Sequence, residues 1–252
     1  MLSLDIALLT DPGGRPYNED ACGHWNSENQ LCCVLADGAG GHNGGDIASR
    51  HAVEATLQAF SQRPTDDGTA LANLLRETNL SLRAQREPGT PRADMHTTIV
   101  CLVLNLDDGR AHWAHVGDSR LYWFRGGAMV RRTTDHSIVQ SLVDAGLLAP
   151  QDLRTHPQRS ELRSALGVAQ EDLEVGQADL GPGDHVVSGD VFMLCTDGLW
   201  EYVDDACLER TLAAAANPQQ WLDALAEEVR AACVNRRNHD NFTALAVWAV
   251  AA

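Results

Sequence analysis

The chain has 252 residues, and its 19 Lys and Arg against 35 Asp and Glu give a formal net charge of −16. Nucleic-acid backbones and anionic membranes repel so negative a body, so the charge excludes a general nucleic-acid or membrane binder. Hydrophobic residues make up 44% and charged residues 21% of the chain, which is typical of a globular domain and excludes a disordered acidic chain.

The N-terminal stretch does not resemble a signal peptide. It has no basic segment, and Asp5 interrupts its apolar residues. The apolar run at 244–252 is far shorter than the roughly 20 residues that span a bilayer. The seven cysteines include no CxxC pair, so we interpret them as reduced, buried thiols. These features predict a cytoplasmic protein without a membrane span.

Runs of apolar and β-branched residues predict strands along the chain. Several of these runs end at Asp-Gly or Gly-Gly turns, which commonly follow strands. In chain order, the predicted strands cover residues 31–36, 97–106, 112–116, 120–124, 128–132, 191–195 and 242–250.

Amphipathic segments between the strands predict helices. The predicted helices cover residues 47–62, 69–85, 138–145 and 218 to about 234. Asp46, Ser137 and Asn217 are expected to cap the first, third and fourth of them. The polar segment 146–167, rich in Arg and His, is expected to be an exposed excursion over the surface. Strands in blocks with helices between them favour an α+β fold over alternating βαβ units.

Five acidic residues stand at or near the ends of predicted strands: Asp20, Asp37, Asp118, Asp197 and Asp240. Any one of them could simply form a turn. If the sheets bring all five together, however, their negative charge requires compensating cations.

Oxygen ligands of this kind favour Mg²⁺ or Mn²⁺. A carboxylate such as Asp37 can bridge two ions about 3.5–4 Å apart, the spacing used in two-metal hydrolysis. Gly38 has no side chain to crowd its carbonyl oxygen, and Arg15 could bind two oxygens of a phosphoryl group. The pattern therefore predicts a two-metal phosphohydrolase.

The same residues resemble the 2C-type, metal-dependent Ser/Thr protein phosphatases. The resemblance is carried in order by RPYNED at 15–20, ADGAGGH at 36–42, VGDSR at 116–120, TDHS at 134–137, CTDGL at 195–199 and DNFT at 240–243. It implies a four-layer α-β-β-α sandwich of two antiparallel β-sheets flanked by helix pairs. It also implies a single catalytic domain over residues 1–252, with the family's mobile flap at about 146–167.

The resemblance implies a metal centre with two or three Mn²⁺ or Mg²⁺ ions. Asp37 would bridge two of them and activate water, and the Gly38 carbonyl would bind the second ion. Asp197 and Asp240 would hold the first ion.

Other positions acquire roles from the same resemblance. Asp20 would bind a metal directly or orient metal-bound water, with Glu19 as a less certain neighbour. Asp118 matches the position that helps to bind a third metal in bacterial members. Arg15 would bind the substrate phosphate.

One position departs from part of the family. Some eukaryotic members have a His directly after the Asp-Gly, where it is proposed to protonate the leaving alcohol, and this chain has Ala39 there. The nearest histidine is His42, for which a structural role in the loop and a contact to the site both remain open. The identity of the general acid is therefore not carried over.

The resemblance implies hydrolysis of phosphoserine and phosphothreonine on proteins. Two alternatives stay open: a catalytically weak pseudophosphatase that binds phosphoproteins, and a two-metal hydrolase of other phosphoesters such as nucleotides. Longer runs, including WAHVGDSRLYWFRGG at 113–127, are similar to bacterial phosphatases associated with type VI secretion systems. This similarity implies, as partners, a forkhead-associated protein and the Ser/Thr kinase that acts on it. Separately, we expect the enzyme to be a monomer.

Overall fold

The structure, a computed structural model, describes residues 2–39, 44–181 and 183–251, which form two β-sheets and six α-helices. The strands are β1 (Leu2–Asp11), β2 (Asp20–Asn26), β3 (Gln30–Ala39), β4 (His96–Thr97), β5 (Ile99–Asn105), β6 (Arg110–Val116), β7 (Arg120–Arg125), β8 (Ala128–Arg132), β9 (Gly176–Asp179), β10 (Val191–Cys195) and β11 (Phe242–Ala251). The α-helices are α1 (Gly45–Gln62), α2 (Gly68–Ala84), α3 (Ile138–Asp144), α4 (Asp197–Trp200), α5 (Asp205–Ala214) and α6 (Pro218–Ala232).

Both sheets are antiparallel. One has the strand order β1-β11-β10-β7-β8, and the other has the order β2-β3-β5-β6-β9, with β4 paired to β3. β1 and β11 pair over ten residues, from Leu2 opposite Ala251 to Asp11 opposite Phe242. Since each sheet is built from strands distant in sequence, residues from both ends of the chain meet at the same sheet edge.

Side chains along β3 show why the fold has four layers. Val34 and Ala36 pack against α1 and α2, whereas Cys33 and Leu35 face the other sheet. Because both faces of β3 are buried, its sequence is continuously apolar instead of alternating. Helices α5 and α6 supply the outer layer on the far side of the sheet that contains β1 and β11, and Trp221 is fully buried there.

The α+β class and the four-layer sandwich are confirmed by this architecture. Every predicted strand and helix occurs, with ends shifted by up to three residues, except that the run at 97–106 divides into β4 and β5. The caps at Ser137 and Asn217 are also confirmed, since their side chains accept hydrogen bonds from Gln140 N and Gln220 N.

The predicted cap at Asp46 is wrong. Helix α1 begins at Gly45, two residues before the predicted start, its N-cap is Gly44, and no side chain caps it. Asp46 instead lies in the first turn, where its carboxylate pairs with Arg50 one turn later. An acidic residue in the first turn is still favourable because it faces the positive end of the helix dipole.

The expectation that 146–167 is an exposed excursion is only half right. Leu147 is 76% exposed, but Leu153 packs into the core beneath α5 and α6. Ser164 and Leu166 are buried as well, and Leu166 pairs with Thr97 as an isolated β-bridge. The segment is therefore anchored at its middle and at its end, because it carries apolar side chains that both cores accept.

Strands β1, β2 and β9 and helices α4 and α5 were not predicted. The sequence of β1 keeps Asp5 and Thr10 among apolar residues, and pairing with β11 is what makes it a strand. Helix α5 has a cap that was available in the sequence, because Asp204 accepts a hydrogen bond from Cys207 N.

All seven cysteines are free thiols, as predicted, and six of them are buried. Within the described ranges, no helix combines the length and the apolar character that a membrane crossing requires.

Candidate metal and phosphate site

The sheet ends bring the five predicted aspartates together. Asp20 begins β2 directly opposite Asp37 on β3. Asp118 follows β6, and Asp197 is the first residue of α4, immediately after β10. Asp240 precedes β11, which lies between β1 and β10 in its sheet. The two sheets thus present acidic residues from their facing strands at one end of the sandwich.

Asp37 is the centre of this cluster. Burial raises the pKa of its carboxyl group well above the usual value, and the four other aspartates raise it further, in decreasing order Asp20, Asp197, Asp118 and Asp240. Carboxylates affect one another's pKa in this way only when they lie close together in a poorly solvated place. The cluster predicted from the strand ends is therefore present in the structure.

Asp20 is held by Thr196, the residue that follows β10. Its Oδ2 accepts a hydrogen bond of 3.0 Å from Thr196 Oγ1. Its Oδ1 is buried and has no hydrogen-bond partner among the residues that the structure describes. Burial raises the pKa of Asp20 to about 7, although hydrogen bonds from Thr243 and Thr196 oppose the rise. A buried carboxylate oxygen without a partner is a free acceptor for a cation.

In the same cluster, Asp118 is buried and Asp197 is half-buried. Burial raises the pKa of Asp118 to about 7, with a further rise from Asp135. The pKa of Asp197 lies well above its usual value, first because of burial and then because of Asp118 and Glu201. Neither carboxyl group is matched by enough positive charge to keep it readily ionised.

Asp240 and Arg15 form the solvent side of the cluster. Their side chains are 47% and 48% exposed, and Arg15 Nη2 lies 3.0 Å from Asp240 Oδ2. The loop that carries Arg15 is tied down by Asn241, whose Nδ2 donates to the carbonyl oxygens of Pro12 at 2.8 Å and Tyr17 at 2.9 Å. The guanidinium therefore stands at the rim of the acidic cluster, on a loop with a defined position.

Gly38 has a second reason to be glycine. A Cβ at this position would lie 2.2 Å from the carbonyl oxygen of Gly45, and one at Gly45 would lie 2.8 Å from the Gly38 oxygen. The end of β3 and the start of α1 thus approach so closely that only glycines fit.

Asp46 joins Glu19 beside this contact. Burial, then the charges of Asp46 and Asp240, raise the pKa of Glu19. Asp46 Oδ1 is buried without a hydrogen-bond partner in the described part of the chain. The sequence did not reveal this position, because Asp46 also stands where a helix cap is expected.

The donor set fits Mg²⁺ or Mn²⁺. The candidate ligands are carboxylate and carbonyl oxygens, which these hard cations prefer, and two of the buried oxygens are unpartnered. As the side chains stand in residues 2–39, 44–181 and 183–251, no three Asp, Glu, His or Cys groups close around a point as a finished metal cage. Mutual repulsion favours such an open arrangement, and a cation would draw the carboxylates inward.

Among the described residues, the histidine that faces Ala39 is already held by other side chains. His96 lies opposite Ala39 in the strand pair, but Asp94 and Arg86 hold its ring, at 3.2 Å and 3.0 Å. His42 lies outside the described residues.

Comparison with known proteins identifies a family and relatives that match most of the chain. A profile of the family Protein phosphatase 2C matches residues 15–236. The protein phosphatase PhpP of Streptococcus pneumoniae is 35% identical over 202 residues, which cover 78% of this chain and 79% of that protein. The serine/threonine phosphatase PstP of Mycobacterium tuberculosis is 32% identical over 180 residues, covering 71% of this chain and 34% of that protein.

Solved structures share the architecture. A crystal structure of the catalytic domain of PstP in complex with two manganese ions is 27% identical, covers 100% of both chains and has a TM-score of 0.80. PppA, described as a key regulatory component of the type VI secretion system in Pseudomonas aeruginosa, is 30% identical and has a TM-score of 0.74, covering 98% of this chain and 97% of that one.

Proposed function

The chain belongs to the protein phosphatase 2C family, and from this premise we propose that it hydrolyses phosphoserine and phosphothreonine on proteins at a binuclear Mn²⁺ or Mg²⁺ centre. The observation that carries this proposal is the convergence of four aspartates on Asp37. Such a concentration of buried negative charge is costly to the fold without cations, so its presence indicates a function.

Asp37 would hold both ions, the Gly38 carbonyl one of them, and Asp197 and Asp240 the other. Asp20 would bind an ion directly or through water, and Asp118 a third ion. When bound, such ions supply Lewis acidity that activates water and offsets the charge of the phosphate. The manganese complex of the related PstP catalytic domain supports this assignment.

Arg15 would bind and orient the phosphate. Its planar guanidinium suits two phosphoryl oxygens, and its present partner, Asp240, is half exposed and replaceable. Surface ion pairs contribute little stability, so exchanging Asp240 for a phosphate dianion costs little. With Asp240 engaged by a metal, the guanidinium would be released to face the substrate.

The two alternatives gain no support. A pseudophosphatase would be expected to lack metal carboxylates, whereas all five are present and converge. The relatives are named protein or serine/threonine phosphatases, which favours phosphoproteins over nucleotides as substrates.

The test is metal-dependent turnover of phosphopeptides. Wild type should release phosphate from phosphoserine and phosphothreonine peptides with Mn²⁺ or Mg²⁺, and EDTA should abolish the release. Asp37→Asn should be inactive, whereas Asp5→Asn, on the distant strand β1, should match wild type. Undiminished activity of a metal-stripped sample in EDTA, or inactivity of wild type with both metals, would contradict the proposal.

For the partners, we propose a cognate bacterial Ser/Thr kinase and a forkhead-associated protein that it phosphorylates. The similarity to PppA supports this context. We further propose that residues 1–252 act as a single, monomeric catalytic domain. Comparison of Ser/Thr phosphorylation in cells that carry wild type or Asp197→Ala would test the partners. If the forkhead-associated protein and the kinase gain no phosphate in the variant strain, they are not substrates.

A further inference from the structure

A closed ring of buried contacts surrounds Asp118, and the proposed function assigns most of its members no role. Trp200 donates its indole Nε1–H to the Asp118 carbonyl oxygen at 2.9 Å. The guanidinium of Arg120 lies over the Trp200 ring, 3.6 Å from its centroid. Asp135 accepts two hydrogen bonds from Arg120, at 2.8 Å and 2.7 Å. One side of the Asp118 peptide is thereby fixed through three side chains.

His136 closes the ring from the other side. Its backbone N–H donates to the Gly117 carbonyl oxygen at 3.0 Å, and Gly117 N–H donates back to His136 Nδ1 at 3.3 Å. The imidazole also stacks on His115, with the ring centroids 4.5 Å apart. Because Asp135 and His136 are consecutive, both arms of the ring end on the same dipeptide. We call the contacts among Gly117, Asp118, Arg120, Asp135, His136 and Trp200 the Asp118 ring.

The ring is buried at every side chain. Arg120 and Trp200 are 1% exposed, Asp135 is 2% exposed and His136 is 5% exposed. A buried ion pair such as Arg120–Asp135 loses much of its Coulomb energy to desolvation, so a well-packed apolar pair could give the fold comparable stability. Beyond stability, the ion pair and its two hydrogen bonds hold the Arg120 and Asp135 side chains in a fixed geometry.

The turn before Asp118 requires glycine at position 117. Gly117 has φ of 98°, which side-chain-bearing residues rarely adopt. A Cβ there would also lie 2.7 Å from the Thr98 side chain. The ring therefore holds the backbone at Gly117 and Asp118, from which the Asp118 carboxylate extends.

The same dipeptide is joined to the segment 146–167. Arg163 N–H donates to the His136 carbonyl oxygen at 2.8 Å, and Ile138 N–H donates to the Glu161 carbonyl oxygen at 2.8 Å. The segment is therefore hydrogen-bonded to His136, and His136 is hydrogen-bonded to Gly117 through its backbone N–H and its imidazole.

We propose that the Asp118 ring positions Asp118 as a metal ligand, and that His136 links this position to the segment 146–167. Arg120, Asp135, His136 and Trp200 are thus positioning residues. The inference rests on the proposed function, because it assumes that Asp118 binds a metal.

The test compares variants that remove single contacts while keeping shape. Trp200→Phe loses the indole donor to Asp118, and His136→Phe keeps the stack on His115 but loses the acceptor for Gly117. His136→Asn places an oxygen near the position of Nδ1 and should retain the acceptor. Trp248→Phe is the matched control, since Trp248 Nε1 has no hydrogen-bond partner within the described part of the chain.

The readout is Mn²⁺ binding to the metal-free proteins by calorimetry, with Asp118→Asn identifying the Asp118-dependent site. Trp200→Phe and His136→Phe should weaken that site about five- to tenfold, the effect of one lost buried hydrogen bond, and leave the other sites unchanged. His136→Asn and Trp248→Phe should stay within twofold of wild type. A Mg²⁺ titration should shift the Trp200 indole N–H signal in NMR spectra of wild type.

Several results would overturn the inference. It fails if Trp200→Phe binds Mn²⁺ as wild type does, even when its melting temperature is lower. It also fails if His136→Asn loses as much affinity as His136→Phe. Should His136→Phe not fold, the Trp200→Phe titration and the indole signal decide the question. If wild type itself binds no metal and hydrolyses no phosphopeptide, the result contradicts the proposed function, on which the inference rests.

Discussion

At the scale of single residues, the carboxylates of the candidate site oppose the stability of the fold that carries them. Asp37, Asp118 and Asp197 are held where burial and neighbouring charge raise their pKa values. A group whose pKa is raised in the folded state prefers to be neutral there, so at neutral pH its ionised form weakens the metal-free protein. Metal binding would reverse this effect by giving the charges a partner.

Asp197→Asn should therefore abolish phosphatase activity and yet stabilise the metal-free protein. The amide keeps the shape of the side chain and removes a buried charge next to Asp118. We expect a melting temperature several degrees higher than that of wild type in EDTA, since about 1 kcal/mol shifts a domain of this size by about 2–4 °C. Calorimetry in EDTA measures this shift. A lower melting temperature would show that the carboxylate is favourable even without metal.

The pH dependence of stability should reveal Asp118 directly. Its pKa is about 7 in the folded protein and near 3.8 in an unfolded chain, so between these values the folded state binds the extra proton. The contribution of Asp118 to the free energy of unfolding therefore falls as pH rises from about 4 to about 7. In urea titrations with EDTA, the stability of wild type relative to Asp118→Asn should decline over that range. A constant difference would contradict the pKa assignment.

Arg15 should act mainly on substrate binding. Arg15→Ala is expected to raise KM for phosphopeptides about tenfold or more, because a charge-assisted bond to phosphate is lost. Arg15→Lys should restore only part of the affinity, because an ammonium group lacks the paired donors of a guanidinium. Steady-state kinetics with saturating Mn²⁺ test this order. Equal KM values for all three proteins would remove Arg15 from the phosphate site.

At the scale of elements, residues that are close in sequence determine where a helix begins. The strands near the two ends of the chain depend instead on pairing with partners that are distant in sequence. Asn217 and Pro218 begin α6 at the predicted residue, because the side-chain cap and the fixed φ of proline act within one turn. Strand β1 depends on ten paired residues of β11, a partner about 240 residues away. Its sequence alone carries no comparable signal.

Removing the α6 cap should cost a measurable amount of stability. Asn217→Ala deletes the acceptor that lies 2.9 Å from Gln220 N, and about 1 kcal/mol should be lost. Gln219→Ala, an exposed change in the same turn, should alter the free energy of unfolding by less than about 0.5 kcal/mol. Urea denaturation of both variants makes the comparison. Equal effects would show that the cap is not what fixes the helix start.

At the scale of the whole molecule, the net charge of −16 surrounds a site that must admit an anion. Ions at the aspartate cluster would neutralise the site locally, whereas the remaining acidic surface still acts at longer range. Approach of the substrate should therefore depend on the charge around the phosphosite as well as on the phosphate itself.

Phosphopeptides with flanking Lys or Arg should be better substrates than matched peptides with Asp or Glu. We expect kcat/KM to favour the basic peptide several-fold at low ionic strength, because attraction raises the association rate. The preference should shrink towards unity at about 0.5 M salt, where the charges are screened within a few ångströms. A preference for acidic peptides at low salt would contradict this argument.

The sequence by itself determined the elements and chemistry that depend on neighbours along the chain. Turn-forming Asp-Gly pairs at strand ends identified Asp37 and Asp197, and the ordered motifs predicted the family and the four-layer fold. Helix caps at Ser137 and Asn217 followed from the same local physics.

Only the tertiary structure decided what depends on contacts between distant segments. In the structure, Arg120 pairs with Asp135, and Trp200 donates a hydrogen bond to the Asp118 carbonyl oxygen. Asp46 lies beside Glu19 and does not cap a helix. Half of the segment 146–167 is also buried. Burial, charge interaction and hydrogen bonding act through space, and residues far apart in sequence become neighbours only when the sheets have paired.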